Sequence, residues 1–122
     1  MIVERERGDG ALDFATRAYP HWVEELSHAV ATGTAFAARG DDGTTIGFSC
    51  HSVNRRGWIG PMATEPSRQH GGVGSTLLAA VCADLEERGV DTGEIAWVSN
   101  LRFYGKCGAT VSRVFQGGRL TL

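Results

Sequence analysis

The segment Gln69-His70-Gly71-Gly72-Val73-Gly74-Ser75 carries the clearest chemistry in this chain. Glycines let a backbone turn sharply and let a ligand approach it closely. The opening N–H groups of a helix have no internal partner, and the helix dipole adds to their pull on an anion such as a phosphate. A helix-like pattern follows Ser75, so the loop sits where that field is strongest. The P-loop reading fails because no Gly-Lys-Ser/Thr ending is present. The dinucleotide reading fails because Leu77 stands where a third glycine would follow Gly72 and Gly74. Arg68 and His70 flank the loop as cations within reach of a phosphate, or as solvated surface. A tight turn with no ligand also stays open for this segment taken alone.

Composition narrows the partners. Lys and Arg number 12 against 14 Asp and Glu, for a formal net charge of −2. Nucleic-acid binding by phosphate neutralisation needs clustered cations, so no nucleic-acid partner is expected. An anionic ligand must be held locally. Cys50, Cys82 and Cys107 have no CxxC spacing and an odd count, so neither a metal site nor a disulfide framework is expected. They read as buried or partly buried thiols. No long apolar run suggests a membrane span, and Met1–Arg7 does not resemble a signal peptide, so a cytoplasmic location is expected.

The elements that must position the loop follow from periodicity and breakers. One domain over residues 1–122 is expected. Ile2 to about Arg5 reads as an edge strand. Ala11–Ala18 and Pro20–Ala31 read as helices separated by Pro20, which suits a first turn and not a helix interior. Gly33 reads as a helix stop. Thr34–Ala38, Thr45–Val53 and Trp58–Thr64 form a run of antiparallel strands, with turns at Asp41-Asp42-Gly43 and Asn54-Arg55-Arg56-Gly57. Gly60-Pro61 suggests a bend or bulge in the third. Ser75–Arg88 is the strongest helix: Leu77, Leu78, Val81, Cys82 and Leu85 form its apolar stripe, with Asp84 placed off it. Glu94–Ser99 is a strand, Leu101–Lys106 a short helix, and Thr110–Phe115 and Arg119–Leu122 are closing strands. The fold class is therefore α/β (α+β): a mixed, mostly antiparallel sheet of about six strands flanked by helices.

Two segments together carry a family resemblance. Gln69-x-x-Gly72-x-Gly74 resembles the Gln/Arg-x-x-Gly-x-Gly/Ala signature of the GNAT (Gcn5-related) N-acetyltransferases, with Pro66 three residues upstream. Asn100-Leu101-Arg102-Phe103-Tyr104-Gly105-Lys106-Cys107-Gly108-Ala109 is similar to that family's Asn-x-x-x-x-Tyr-x-Lys-x-Gly-Phe segment, with Ala109 in place of the aromatic. The resemblance spans roughly Thr34 to Val114. It implies acetyl-CoA as co-substrate, no metal, and a primary amine acceptor on a small molecule or peptide.

The resemblance also implies roles. The backbone of Gln69, His70, Gly71, Gly72, Val73, Gly74 and Ser75 would hold the coenzyme pyrophosphate. Met62, Ala63 and Thr64 would pair with the pantetheine arm like an added strand, in a gap between the Trp58–Thr64 and Glu94–Ser99 strands. Asn100 would hydrogen-bond the same arm, or cap its helix. Tyr104 falls at the family's usual general acid; an ordinary pKa near 10 keeps a tyrosine protonated at neutral pH. The glutamate that histone-type members carry early in the central strand is replaced by Trp58. His51 and Glu65 are the substitute bases in reach by sequence, with ordered water as the third option. Trp22 lies in the helical region that forms part of the family's acceptor site. The runner-up reading is an inactive acyl-CoA-binding or partner-binding module. A homodimer through the apolar last strand (Val111, Val114, Leu120, Leu122) and a monomer are both consistent with the sequence.

Overall fold

The computed structural model describes residues 1–68, 71–95 and 101–107, side chains of residues 101 and 102 excepted. Five strands form one sheet in chain order: β1 (Ile2–Arg5), β2 (Ala35–Arg39), β3 (Thr45–His51), β4 (Trp58–Thr64) and β5 (Glu94–Ile95). The first four pair antiparallel, and β5 joins β4 in parallel through Trp58↔Glu94 and Ile59↔Ile95. The mixed, mostly antiparallel sheet expected from the sequence is therefore present. The expected closing strands and residues 96–99 lie outside the described residues.

Helices cover both faces. α1 (Gly10–Ala18) and α2 (Val23–Thr32) follow β1, separated by a 3-10 turn at Pro20–Trp22. Pro20 opens that turn, where its missing N–H costs nothing. α2 ends at Gly33, whose φ of 76° is the left-handed conformation that glycine adopts without strain. α3 (Val73–Glu87) crosses over to β5, and α4 (Leu101–Lys106) follows. On one face Ala11, Phe14 and Ala15 of α1 and Leu26 and Ala29 of α2 pack against Ala35, Ala37, Phe48, Cys50 and Ala63. On the other, Val73, Leu77, Leu78, Val81 and Leu85 of α3 pack against Phe36, Ala38, Ile46 and Ile59. β3 is buried along its whole length because it lies between these two cores.

Buried acids fix the helices to the sheet. The Asp9 side chain does not cap α1. Glu6, almost fully buried, does part of that work: its Oε1 accepts the Ala11 N–H at 2.7 Å, and its Oε2 pairs with Arg39. Satisfying an orphan helix N–H this way pins the start of α1 to the end of β1.

Two side chains of α3 depart from the expected stripe. Asp84 is 5% exposed and lies among the apolar residues, three positions after Val81 and seven after Leu77. Cys82 is exposed, as is Cys107; Cys50 alone is a fully buried thiol. A carboxylate inside the stripe is possible because cations meet it there.

Gly47 shows how closely α3 sits on the sheet. A methyl group added there would stand 2.9 Å from the Ala63 carbonyl oxygen and 3.0 Å from Leu77 Cδ1. The oxygen is backbone and cannot move aside cheaply. Gly47→Ala is expected to cost about 1–2 kcal/mol despite the gain in strand propensity. Urea unfolding of both chains checks it: an equal or higher midpoint for the variant contradicts this packing.

Candidate functional site: the glycine loop and the bent strand β4

β4 leads into the loop. The four residues of β4 from Ile59 to Met62 stand opposite the three of β3 from His51 to Ser49, so β4 carries one extra residue around Gly60-Pro61. This is the bulge anticipated from the Gly-Pro pair, and it bends the strand. Beyond it, the register decides which backbone groups are available. Glu65 donates its N–H to Ile46 at 2.7 Å, and Ala63 lies opposite Phe48. Hydrogen-bonded pairs alternate along an antiparallel ladder, so Ala63 turns its N–H and C=O toward β3. Met62 and Thr64 turn theirs to the β5 side. Of the three residues expected to face a ligand arm, Ala63 therefore does not. The Thr64 carbonyl is taken by the Tyr19 hydroxyl at 2.7 Å. Tyr19 was not foreseen as a site residue; nothing in its spacing sets it apart.

After β4 a 3-10 turn at Pro66–Arg68 brings the chain to the loop. Gly72 has φ 81°, a left-handed position that carries the chain into α3. Gly71, Gly72, Ser75 and Thr76 are exposed, and Gly74 is half-buried. The Ser75 and Thr76 hydroxyls both donate to the Gly72 carbonyl, at 3.1 and 2.8 Å. That leaves the backbone N–H groups of Gly72 through Ser75 without a backbone partner among the described residues. N–H groups left unmet among the described residues, at the dipole-positive end of a 15-residue helix, fit an anionic diphosphate. Arg68 is exposed on the wall of an adjoining depression of about 490 Å³, which Ser67, Gly71 and Val73 also line. Gln69 and His70 lie outside the described residues.

Gly74 has a packing reason of its own. A methyl group there would stand 3.2 Å from two atoms of the Phe103 ring. The missing side chain lets α4 lie against the first turn of α3. Tyr104, next in sequence, is half-buried, and its ring meets Phe103 edge-on at 5.0 Å. Burial, with a smaller contribution from Cys107, holds its phenol above the usual tyrosine pKa. Its hydroxyl has no hydrogen-bond partner among the described residues. Asn100 is outside them.

The two side chains considered as bases are placed unfavourably. His51 is 1% exposed; its Nε2 meets Asp84 Oδ2 at 2.6 Å and its Nδ1 meets the Ser52 hydroxyl at 2.9 Å. Both ring nitrogens are thus occupied inside the fold, so His51 serves the Asp84 cluster and does not face β4's open side. Glu65 is half-buried at the loop end of β4, four residues, or ~13 Å of strand, from the bulge. Trp58 is half-buried with the Arg55 guanidinium 5.7 Å from its ring centre. Among the described residues no His, Cys, Asp and Glu group could hold a metal ion. No described helix is long and apolar enough to cross a membrane.

A mixed sheet with a bent fourth strand thus runs into a glycine loop that opens the crossover helix α3. The chain belongs to the acetyltransferase (GNAT) family, whose model matches residues 5–109. Its fold is similar to that of AAC(6')-Iy in complex with the bisubstrate analogue CoA-S-monomethyl-acetylneamine: TM-score 0.70, 14% identity, covering 99% of this chain and 98% of that one. It is also similar to ribosomal-protein-alanine N-acetyltransferase from Brucella melitensis biovar Abortus 2308, at TM-score 0.69 and 16% identity, covering 98% of this chain and 100% of that one. A GNAT family acetyltransferase from Brucella melitensis in complex with acetyl-CoA matches at TM-score 0.60 and 20% identity, covering 90% of this chain and 82% of that one. Comparison with curated protein sequences gives no significant match.

Proposed function

We propose that this chain transfers an acetyl group from acetyl-CoA to a primary amine, by direct attack of the amine on the thioester. The observation that carries the reading is the exposed glycine loop at the start of α3, whose Gly74 has the Phe103 ring of α4 packed against it. Tyr104 follows Phe103 on α4, and the resemblance assigns it the proton for the departing sulfur.

Bound acetyl-CoA supplies an acetyl group already activated as a thioester. The N–H groups of Gly72, Val73, Gly74 and Ser75, with those of Gln69 and His70 as the resemblance implies, bind its phosphates; the Gly71 N–H, also expected to do so, donates to the Arg68 carbonyl at 3.2 Å. Met62, and Thr64 through its N–H, offer backbone groups to the pantetheine arm on the β5 side of β4. Asn100 is assigned to the same arm by the resemblance alone. As the amine nitrogen bonds to the carbonyl carbon and the C–S bond breaks, Tyr104 gives its proton to the departing sulfur. The proton lost by the amine goes to water, since His51 is sealed inside the fold and Glu65 stands at the far end of the strand.

Titration with acetyl-CoA tests the reading, and Gly71→Asp is the sharper control. Gly71 is exposed, and a side chain there meets only the Arg68 carbonyl oxygen at an ordinary 3.6 Å. Gly72 would be strained and Gly74 would push on Phe103, so substitutions there mix folding with binding. A carboxylate about 5 Å from a phosphate costs about 3 kcal/mol at an effective dielectric constant near 20, and water screening at this exposed loop lowers that to about 2–3 kcal/mol. The expected result is micromolar binding, weakened about 30- to 100-fold in Gly71→Asp with an unchanged melting temperature. Failure of the unaltered chain to bind at millimolar coenzyme would leave the loop as a turn and favour a partner-binding module.

A further inference from the structure

We propose that Cys82 and Cys107 form a dithiol modification site, which peroxide converts to a reversible disulfide tying α4 to α3. The inference stands on the fold alone and holds whichever reaction the chain performs.

The two thiols come from different elements. Cys82 lies on the outer side of α3, and Cys107 directly follows α4. Both are exposed, whereas Cys50 is fully buried in the core beneath α1 and α2. Cys82 and Cys107 line one cavity of about 410 Å³, with Leu78 and Leu85 of α3 and Ile95 of β5 in the same wall. α4 is docked there by its own side chains: Phe103 and Tyr104 pack against the core cluster that contains Leu78 and Leu85, as does Ile95. The Phe103 ring also stands against Gly74 in the first turn of α3. The Cys107 N–H donates to the Phe103 and Tyr104 carbonyls at 3.3 and 3.1 Å, which holds Cys107 in the closing turn of α4. Accessible thiols on a shared cavity can meet an oxidant and each other; a buried one such as Cys50 is inert.

The chemistry runs in two steps. The Cys107 thiolate attacks one oxygen of hydrogen peroxide and the O–O bond breaks. The departing hydroxide takes up the proton that the thiol released, leaving water and a sulfenic acid. Cys82 then attacks that sulfur, the S–O bond breaks, and a second water leaves with the Cys82 proton. Each sulfur gives up one electron, and the peroxide is reduced to two waters. Burial foremost, and the charge of Cys107 second, hold the Cys82 thiol above its usual pKa, which suits it to the second step and not the first. Closing the bond brings the two Cα atoms within ~7 Å of each other, and the cavity that both residues line leaves room for that approach. Two equivalents of a small thiol reverse it.

The test treats the full chain, dilute and folded, with a small excess of hydrogen peroxide, then alkylates the remaining thiols in denaturant and maps the peptides by mass. The expected result is loss of two of the three thiols, with the peptide carrying Cys82 joined to the peptide carrying Cys107 and Cys50 fully alkylated. Dithiothreitol should restore all three. The oxidised chain should melt at least about 5 °C above the reduced one, because the bond closes a loop in the unfolded chain. In Cys82→Ser the bond cannot close, and dimedone should trap the sulfenic acid on Cys107. Thiols that survive the treatment, or oxidised Cys82 and Cys107 with no joined peptide, overturn the inference. So do a bond between two chains, a bond to Cys50, and an oxidised chain that melts no higher than the reduced one. The same treatment of the urea-unfolded chain should scatter bonds over all three cysteines; an identical pattern there would mean that the fold does not select the pair.

Discussion

Replacing Tyr104 by Phe is expected to lower kcat by about 10²- to 10⁴-fold while leaving acetyl-CoA affinity within about twofold, the range for loss of a positioned general acid. The substitution removes one oxygen. The ring remains, so its edge-on contact with Phe103 and its packing against the α3 core persist. Stability should change little, because the hydroxyl has no hydrogen-bond partner among the described residues. A structural tyrosine would give the opposite pattern, with kcat held and melting lowered. The pH profile adds a second check. Burial first, and Cys107 second, raise the phenol above its ordinary value of 10. The protonated, proton-giving form therefore persists past pH 10, and no alkaline fall in kcat from this group should appear below that pH. Single-turnover release of coenzyme A thiol, measured from pH 7 to 10.5, separates these outcomes. An unchanged kcat for Tyr104→Phe sinks the assignment.

Much of the fold was legible because it follows from local rules. Pro20, Gly33 and the Gly60-Pro61 pair act on their own backbone, so the helix break, the helix stop and the bulge could be placed from single residues. The loop was legible for the same reason: Gly72 must turn left-handed where a strand end meets a helix start. Buried charges were harder. Asp84 sits at helical spacing from Leu77 and Val81, but an acid in a stripe looks like an interruption until its partners are known. Those partners come from β1, β3 and the end of α3, up to 79 positions away in sequence. His51 misled because histidine on a strand suggests proton chemistry, whereas its environment is set by residue 84. The alternation that turns Ala63 away from the β5 side depends on register, and a bulge resets register in a way that spacing alone does not reveal.

Asp84→Ala is expected to lose about 3–5 kcal/mol of folding stability, the cost of removing one partner from a buried ionic cluster. Asp84 Oδ1 receives Arg5 at 2.7 Å, and Oδ2 receives His51 Nε2 at 2.6 Å and Arg88 Nε at 2.9 Å. Arg88 is 42% exposed on its side chain and can return to water; His51, at 1%, cannot. Burial alone would raise the Asp84 carboxyl. The hydrogen bonds from Arg5 and His51, with the charges of Arg5 and Arg88, outweigh it and bring the pKa to about 2. The depressed value makes the contribution fully present above the unfolded pKa near 3.8 and lost as pH falls toward 2. The depression corresponds to roughly 2 kcal/mol. Unfolding free energy of the unaltered chain should therefore decline by about that amount between pH 4 and 2, and the decline should be absent in Asp84→Asn. An Asp84→Ala chain as stable as the unaltered one, or an acid decline that survives Asp84→Asn, contradicts this account. The cluster also bears on the site. Arg5 and Arg88 both donate to the Gly33 carbonyl that closes α2. One carboxylate on α3 thus ties the end of α2 to the helix whose first turn forms the loop. Asp84→Asn, folded at neutral pH, should weaken coenzyme binding together with a lowered melting temperature, whereas Gly71→Asp weakens binding with the melting temperature unchanged.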